Sequence, residues 1–527
     1  MKKIFKKTLS VFLCLVITAA AIVVYVPETS ASDAKGTDIP LIYVVGQGSP
    51  LYKYDANGVR QDVYPIQVPD GFIENAVKEN IGIFAKAVIT QEWEDFGETL
   101  RGILDELYGP LALNENGEPV DGSFCYNEWQ TQWIDPNRVD GKYPTERYTF
   151  FYDFRLDPWS LADDLHGYIE KVMAATGADH VALLGRCLGG CITAAYMKKY
   201  DGEYVTDFIQ YCTALKGATV CSKLLSGDIY LDDDGIERFI YDFELSAEEV
   251  TNDLIQSFVT LFNKMYGLDF LCWSVNNVWN DIYLDILPNM LLDTFGTWPG
   301  FWSMINDEDY LRAKDTIFHN ADMDKWAGFI DIIDNYHYNV QMKVDEDFRH
   351  YAENGVDIFN VAKYGFQAIP VNAPADMISD STCSLYESSL GATVASLNTT
   401  LSDEYIGNAK ANGMGKYISP DLQVDASTCL FPETTWFIKN ISHKDFPDGI
   451  DTIFDRMINR DVYTIDSDPE FPQYLVYLNG SVVPMTEANQ NTTEKYHHTF
   501  WEALKTFIRS LSRLLANFIE SRTGAAA

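Results

Sequence analysis

Positive charge is scarce in this 527-residue sequence, which contains 39 Lys and Arg residues against 77 Asp and Glu residues. A nucleic-acid partner requires clustered Lys and Arg that neutralise phosphates, whereas a formal net charge of −38 gives a surface that repels them. Intrinsic disorder is excluded as well, because only 22% of the residues are charged and 47% are hydrophobic. The composition therefore predicts an acidic globular protein with a large core and no nucleic-acid partner.

The nine cysteines show no metal-ligand spacing. Cys187 and Cys191 are separated by three residues, and neither a second Cys pair nor a matching His accompanies them. We therefore expect no metal site and no cofactor. The cysteines are also too widely spaced in so long a chain to form a small disulfide scaffold.

Long apolar runs are equally rare, and the one that stands out extends from Leu9 to Val26 at the N-terminus. Lysines precede it and small residues follow it up to Ala31, an order that is typical of a secretory signal. We therefore predict that residues 1–31 are a signal peptide and that the protein is secreted or otherwise extracytoplasmic. An uncleaved membrane anchor is the alternative, because the run is just long enough to cross a bilayer.

Strand-like and helix-like patterns alternate over residues 36–223. The β-rich runs lie at 40–45, 147–152, 180–184 and 207–212, and helical spacing is found at 161–175 and 188–200. This alternation predicts an α/β fold with a mostly parallel, doubly wound sheet and helices on both faces.

The alternation stops at about residue 224, where the sequence becomes rich in aromatic residues at helical spacing. Strand-like runs return at 366–371 and 434–439. We therefore predict a core in two halves, 36–223 and 362–450, interrupted by a large helical cap at 224–361. The cap aromatics are expected to be mostly core, with an acyl-binding cleft around Trp298–Trp302 as the minority interpretation.

Residues 451–527 form a C-terminal extension that ends in an amphipathic segment from Phe500 to Ile519. Its apolar residues recur at helical spacing, and Lys505, Arg509 and Arg513 lie on another face. Docking on the acidic body of the protein is the favoured interpretation. Contact of this helix with a membrane surface is the alternative.

The residues most indicative of chemistry follow the strand at 180–184, which leads through Gly185-Arg186-Cys187-Leu188-Gly189-Gly190 into a helix. A strand, a glycine-rich turn and a helix in this order have the form of a nucleophile elbow, with Cys187 at the nucleophile position. The N-terminus of the following helix would stabilise a thiolate or an oxyanion there. A buried structural cysteine in a tight turn is the alternative.

A thiol nucleophile needs a base and an acid that orients it, in the order nucleophile, acid, base along a hydrolase chain. Of the eight histidines, only His443 follows a late strand, so we predict that it is the base. Asp421 is the predicted acid, Asp425 is the first reserve, and Asp376 and Asp380 are the second reserve. The oxyanion hole is assigned to the backbone N–H groups of Leu188, which follows the nucleophile, and of Gln47 in the early loop Gly46-Gln47-Gly48.

These motifs resemble the α/β-hydrolase superfamily, and within it the lecithin:cholesterol acyltransferase-like group of acyltransferases and lipases. Pro40 to Ser49, P-L-I-Y-V-V-G-Q-G-S, is similar to the oxyanion loop of that group, and Tyr152-Asp153-Phe154-Arg155 is similar to its Y-D-W-R box. Asp421 to Leu430, D-L-Q-V-D-A-S-T-C-L, is similar to its acid segment, in which the first Asp is catalytic. The resemblance covers residues 38–215 and 365–445 and implies an α/β-hydrolase fold.

Cys187 departs from the group, which uses Ser, and looks more like the elbow of polyhydroxyalkanoate synthases and dienelactone hydrolases. The leading hypothesis is an exported acyl hydrolase or O-acyltransferase that acts on lipid or carboxylic esters through Cys187, His443 and Asp421 and a thioester acyl-enzyme. One alternative is a catalytically inactive, hydrolase-fold lipid or ligand-binding protein. Another is a polyhydroxyalkanoate-synthase-like polymerase, which the export signal disfavours.

Overall fold

The structure is a computed structural model that describes residues 36–66, 80–125 (apart from 81, 84, 85, 88 and 91), 137–138, 141–143, 148–242, 249–292, 294–368, 376–447, 449–490 and 499–523. The predicted signal peptide therefore lies outside the described residues, as do parts of the predicted strands at 147–152 and 366–371. None of the helices in these ranges combines the length and the apolar character needed to cross a bilayer.

Most of the strands that the structure describes are short and largely buried. In chain order they are β1 (Leu41–Val44), β2 (Leu51–Tyr54), β3 (Arg60–Tyr64), β4 (Tyr148–Phe150), β5 (Val181–Arg186), β6 (Val205–Tyr211), β7 (Asp357–Tyr364), β8 (Phe366–Gln367), β9 (Ile378–Ser379), β10 (Thr393–Val394), β11 (Val424–Asp425), β12 (Thr435–Lys439), β13 (Tyr474–Leu478) and β14 (Ser481–Pro484).

Eight of these strands form one sheet in the order β14-β13-β12-β7-β6-β5-β1-β4. Every neighbouring pair is parallel except β13 and β14, which are antiparallel. The predicted α/β class with a mostly parallel sheet is thus confirmed. Because the strands are parallel, their carboxyl ends lie along one edge, where open α/β sheets bind ligands.

Both faces of the sheet are buried, since alternate residues of a strand belong to two different hydrophobic clusters. Leu183 of β5 belongs to a cluster on one face, and Ala182 and Leu184 belong to the cluster on the other. A strand buried on both faces is apolar along its whole length, which is why β5 stands out in the sequence.

The helices that the structure describes are, in chain order, α1 (Glu94–Tyr108), α2 (Pro158–Thr176), α3 (Leu188–Tyr200), α4 (Thr219–Ser226), α5 (Asp233–Asp242), α6 (Glu249–Lys264), α7 (Gly267–Leu291), α8 (Pro299–Trp302), α9 (Asp307–Ile317), α10 (Met323–Asn339), α11 (Val344–Glu353), α12 (Leu385–Ser388), α13 (Asp403–Ala411), α14 (Ile450–Ile458) and α15 (Phe500–Thr523). The predicted helix at 188–200 is confirmed as α3. Helices α5 to α11 make the region between β6 and β7 predominantly helical.

The predicted boundary between cap and core at residue 361 is wrong, because the sheet strand β7 already begins at Asp357. Of the run predicted as a core strand at 366–371, the described residues 366–368 contribute the two residues of β8, which pairs with β9 in a separate small sheet. The sequence does not predict β7 as a strand, because β7 contains Asn360 and Lys363 and therefore lacks the continuous apolar run that is typical of a buried strand.

The C-terminal extension contributes to both the sheet and the surface. β13 and β14 extend the sheet beyond β12, and α15 packs on α6 of the cap, with Phe507 against Phe258 at 6.2 Å between ring centroids. The favoured interpretation of α15 as a helix docked on the protein's own body is confirmed for this face. Trp501 and Ile508 remain more than half exposed on another face.

Candidate active site

Cys187 lies where β5 ends and α3 begins, at the carboxyl edge of the sheet. Its backbone φ of 51° and ψ of −124° are unusual for a residue with a side chain. Such strain is found where a structure needs to hold a group in an exposed, defined position, and the strand-to-helix turn of a nucleophile elbow is one such place. The local geometry is therefore that of an elbow with a thiol at its tip.

The glycines around Cys187 are required by close approach of other backbone segments. A Cβ on Gly189 would overlap the carbonyl oxygens of Val44 and Val45 at the end of β1. A Cβ on Gly185 would lie 2.6 Å from Thr193 Oγ1 of α3. The glycine pattern that the sequence shows thus allows α3 to pack directly against β1 and β5.

His443 lies in the loop that follows β12, as predicted, and its imidazole is oriented by Asp380. His443 Nδ1 and Asp380 Oδ2 are 2.6 Å apart, and the backbone N–H of His443 donates to the carbonyl oxygen of Asp380 at 2.6 Å. The Asp380 carboxylate is fully buried and also accepts hydrogen bonds from the backbone N–H groups of Thr382 at 3.0 Å and Cys383 at 2.8 Å. These backbone hydrogen bonds hold the Asp380 carboxylate in the orientation in which it contacts the His443 ring.

The other ring nitrogen of His443 faces the thiol side of this arrangement. Nε2 is buried and makes no hydrogen bond of regular geometry among the described residues, but the ring and the Cys187 thiol interact strongly through their charges. Cys187, His443 and Asp380 therefore lie in the order that a nucleophile, a base and an orienting acid require.

The electrostatics of the three groups favour a thiolate and an imidazolium. Burial alone raises the pKa of the Cys187 thiol, but His443, Arg186 and the backbone N–H of Leu188 outweigh burial and hold that pKa below its ordinary value. Burial alone lowers the pKa of His443, but Asp380 and Cys187 raise it to about 9. Both shifts therefore favour the thiolate–imidazolium form of the pair over the neutral form, and a lowered thiol pKa makes Cys187 the more reactive as a nucleophile.

Asp421, the predicted acid, does not contact His443. Its carboxylate accepts hydrogen bonds from Lys439 Nζ at 2.8 Å and from Tyr364 Oη at 3.0 Å, and all three side chains are nearly or fully buried. Asp421 is therefore a structural ion-pair partner of β12, and its assignment as the acid is wrong. The physical reason is that Lys439, which points to this side of the sheet, needs a buried counter-charge.

The first reserve, Asp425, is also engaged elsewhere, since it accepts from Tyr405 Oη at 2.9 Å and from the Ser427 N–H at 2.8 Å. Asp376 is exposed and accepts from Ser396 Oγ at 2.9 Å. The remaining candidate of the second reserve, Asp380, is the one that the structure brings to His443. It directly follows β9, which pairs with β8 just beyond the end of β7.

Of the two predicted oxyanion-hole residues, Leu188 is adjacent to Cys187 in the chain, and Gln47 is adjacent to a glycine that approaches Cys187. Leu188 is the first residue of α3, and its N–H donates to the Cys187 sulfur. Gln47 lies in the loop after β1, where the neighbouring Gly46 approaches so closely that a Cβ on it would be 3.0 Å from the Cys187 Cβ. The early loop is thus close enough to contribute to the same site.

The Tyr152-Asp153-Phe154-Arg155 box supports this early loop. Tyr152 Oη donates to the carbonyl oxygen of Val45 at 2.8 Å, and the Tyr152 N–H donates to Ser49 Oγ at 3.2 Å. Arg155 is fully buried and pairs with Asp153 through two hydrogen bonds of 2.9 and 2.7 Å. The box therefore holds both ends of the loop that contains Gly46 and Gln47.

Trp298 and Trp302, considered as lining for an acyl cleft, are instead fully buried core residues. Their indole N–H groups donate to the carbonyl oxygens of Leu111 and Gly296, each at 2.8 Å. The mostly structural interpretation of the cap aromatics is therefore correct for this pair.

Asp380, Cys383 and His443 each place one atom suited to metal binding within 4.8 Å of the others, the one such group found in the described ranges. Two of these atoms already share a hydrogen bond, and burial raises the pKa of the Cys383 thiol well above its ordinary value, which disfavours the thiolate form that metals bind. The arrangement suits proton transfer better than metal binding.

Comparisons with protein-family models, with curated proteins and with solved structures give no match for this chain.

Proposed function

We propose that the protein is an acyl hydrolase or O-acyltransferase with an α/β-hydrolase fold that acts on lipid or carboxylic esters outside the cytoplasm. The observation that carries the proposal is the series Cys187, His443 and Asp380 at the carboxyl edge of the sheet, with the nucleophile at a strained strand-to-helix turn. The order of nucleophile, acid and base along the chain is also that of the α/β-hydrolases.

In the first half of the reaction, the Cys187 thiolate attacks the ester carbonyl carbon, and the π electrons of the carbonyl move to its oxygen. We assign the N–H groups of Leu188 and Gln47 as the donors to the resulting oxyanion. When the tetrahedral species collapses, the bond to the alkoxide breaks, and His443 gives its Nε2 proton to the leaving alcohol. The product is a thioester on Cys187.

In the second half, neutral His443 takes a proton from water or from an acceptor alcohol while the oxygen of that molecule attacks the thioester. Collapse releases the acid or the new ester, and Cys187 leaves as a thiolate next to the imidazolium. Asp380 holds the ring orientation in both halves and stabilises its positive charge. Thioesters react readily with alcohols, so acyl transfer and hydrolysis share this mechanism.

The test is the intact mass of the protein after brief exposure to p-nitrophenyl esters of several chain lengths. The parent protein is expected to gain one acyl group, whereas Cys187→Ala gains none and His443→Ala gains little. Cys191→Ala is the matched control, because Cys191 lies in α3 one turn beyond Cys187 and is fully buried. An adduct that persists in Cys187→Ala, or no adduct and no turnover with any ester, would refute the proposal and favour a ligand-binding protein.

A further inference from the structure

The loop that carries His443 is held by two buried cationic side chains that donate to its backbone carbonyl groups. Lys363 Nζ donates to the carbonyl oxygens of Ser442 at 3.2 Å, His443 at 3.2 Å and Asp445 at 2.7 Å. Arg186 Nη2 donates to those of His443 at 2.9 Å and Lys444 at 3.3 Å. Four consecutive carbonyl groups around the base thus accept hydrogen bonds from two side chains.

The two cations come from the strands that build the site. Arg186 ends β5 and directly precedes Cys187, and Lys363 is the penultimate residue of β7. Lys363 is fully buried and Arg186 is 6% exposed. The same two residues therefore connect the nucleophile strand and the strand before the acid to the loop of the base.

Aromatic rings also lie next to both cations. Lys363 Nζ lies 4.7 Å from the centroid of the Tyr211 ring, and the Arg186 guanidinium lies 5.6 Å from that of Phe446. Tyr211 and Phe446 contact each other edge to face at 5.6 Å. Cation–π contacts thus add to the hydrogen bonds that both cations donate to the loop carbonyl groups.

Burial of the Lys363 charge is costly for stability alone. Burial lowers the pKa of the Lys363 ammonium, which shows that desolvation of this charge is not fully offset. An apolar residue in the same place would serve the core better, because buried charges seldom add net stability over well-packed hydrophobic residues. The presence of Lys363 is more readily explained by the loop carbonyl groups to which it donates.

We propose that Lys363 and Arg186 are positioning residues that hold the loop 442–445 and thereby place His443 between Asp380 and Cys187. This inference rests on the proposed function for its catalytic consequence, but the placement of His443 beside the thiol can be tested without any ester. The positive charges also act on the site directly, since Arg186 favours the thiolate of Cys187 and Lys363 favours the carboxylate of Asp380.

The experiment compares Arg186→Met, Arg186→Lys and Lys363→Met with the parent protein. The first measurement is the rate of alkylation of Cys187 by iodoacetamide from pH 5 to 10, and the second is kcat and KM for a p-nitrophenyl ester. For the two Met variants we expect kcat to fall by about tenfold or more with little change in KM, because hydrogen bonds to charged groups are lost. The pH of half-maximal alkylation is expected to rise. Arg186→Lys is expected to restore part of both losses.

Lys439→Met is the matched control, because it removes a nearly buried lysine from the neighbouring strand β12 that points to Asp421 instead of the loop. It is expected to lower the melting temperature and to leave the alkylation profile of Cys187 unchanged. If Lys363→Met does not fold, the two Arg186 variants decide. Parent-like kcat and alkylation profiles in folded Met variants overturn this inference. A parent protein without an acyl adduct instead overturns the proposed function, and the alkylation profiles still test the positioning.

Discussion

The assignment of Asp380 as the acid, in place of Asp421, makes the sharpest prediction about this protein. Both carboxylates are buried and both accept a hydrogen bond from a basic side chain, Asp380 from His443 and Asp421 from Lys439. They differ in their partner, because His443 belongs to the candidate active site and Lys439 does not. Asp380→Asn and Asp421→Asn therefore remove the same charge at comparable depth, and only the first removes it from the candidate active site.

The expected magnitude follows from the pKa of His443. Burial alone would lower that pKa, yet Asp380 and Cys187 raise it to about 9 from an ordinary value of 6.5. The difference corresponds to roughly 3 kcal/mol in favour of the imidazolium. Asp380 shares this effect with Cys187, so we expect Asp380→Asn to slow acylation by roughly 10- to 100-fold.

Asp421→Asn is expected to act on stability instead. It leaves Lys439 buried with no counter-charge among its described contacts, and breaking a buried ion pair costs about 3–5 kcal/mol. The melting temperature should therefore fall. The acylation rate at a temperature where the variant is folded should stay within about threefold of the parent rate, because the described hydrogen bonds of the Asp421 carboxylate lead to Tyr364, Ser419, Gln423 and Lys439 and not to the candidate active site.

The assay is the rate of acyl-adduct formation measured by intact mass, together with the thermal unfolding of each variant. The reasoning is refuted if Asp421→Asn loses as much rate as Asp380→Asn, or if Asp380→Asn acylates at the parent rate. Equal melting temperatures for Asp421→Asn and the parent would refute the structural role of the Asp421 ion pair without affecting the assignment of Asp380.

Three further predictions concern the thiol, the early loop and the C-terminal helix. Cys187 is the one cysteine of the eight described whose pKa is lowered, so iodoacetamide at pH 7 should label it first. Acylation of Cys187 by an ester should decline as the pH rises through about 9, where His443 loses its proton. Peptide mapping across the pH range checks both predictions. Gly46→Ala places a methyl group 3.0 Å from the Cys187 Cβ and should reduce kcat by about tenfold or more with a small change in melting temperature, whereas a rate equal to the parent's would separate the loop from the site. Phe507→Ala should destabilise the docking of α15 on α6 by about 1–3 kcal/mol, and Ile508→Ala, which changes a residue that is 55% exposed, should not, as measured by hydrogen exchange in α15.

The parts of the fold that were predictable have a strong local signal. β5 is apolar on both faces and runs into a glycine-rich turn, so the strand, Cys187 and α3 are evident from spacing alone. His443 was predictable because it follows β12, which is also apolar along most of its length. In both cases a short stretch of sequence is sufficient to predict the strand and the candidate residue that follows it.

The acid was not predictable in the same way, because its identity depends on long-range packing. Any of many Asp residues between Cys187 and His443 satisfies the order along the chain, in a sequence with 77 acidic residues. The choice requires knowing which Asp follows the strand beside β12 in the sheet, and that strand is β7. Because β7 contains Asn360 and Lys363, its sequence does not indicate a buried strand. The segment at Asp421 resembles the acid segment of the acyltransferase-like group, although Asp421 itself pairs with Lys439.

Asn360 and Lys363, the polar residues that make β7 hard to predict from the sequence, also donate hydrogen bonds to segments of the candidate active site. Asn360 Nδ2 donates to the carbonyl oxygen of Ser388 at 3.1 Å, which holds α12 and the segment after Asp380 against the sheet. Lys363 Nζ donates to the loop of His443. A buried strand made only of apolar residues would add stability but would offer no donors to either segment. The polar residues of β7 therefore connect the acid segment on one side with the base loop on the other, and they bring Asp380 and His443 together across the carboxyl edge of the sheet.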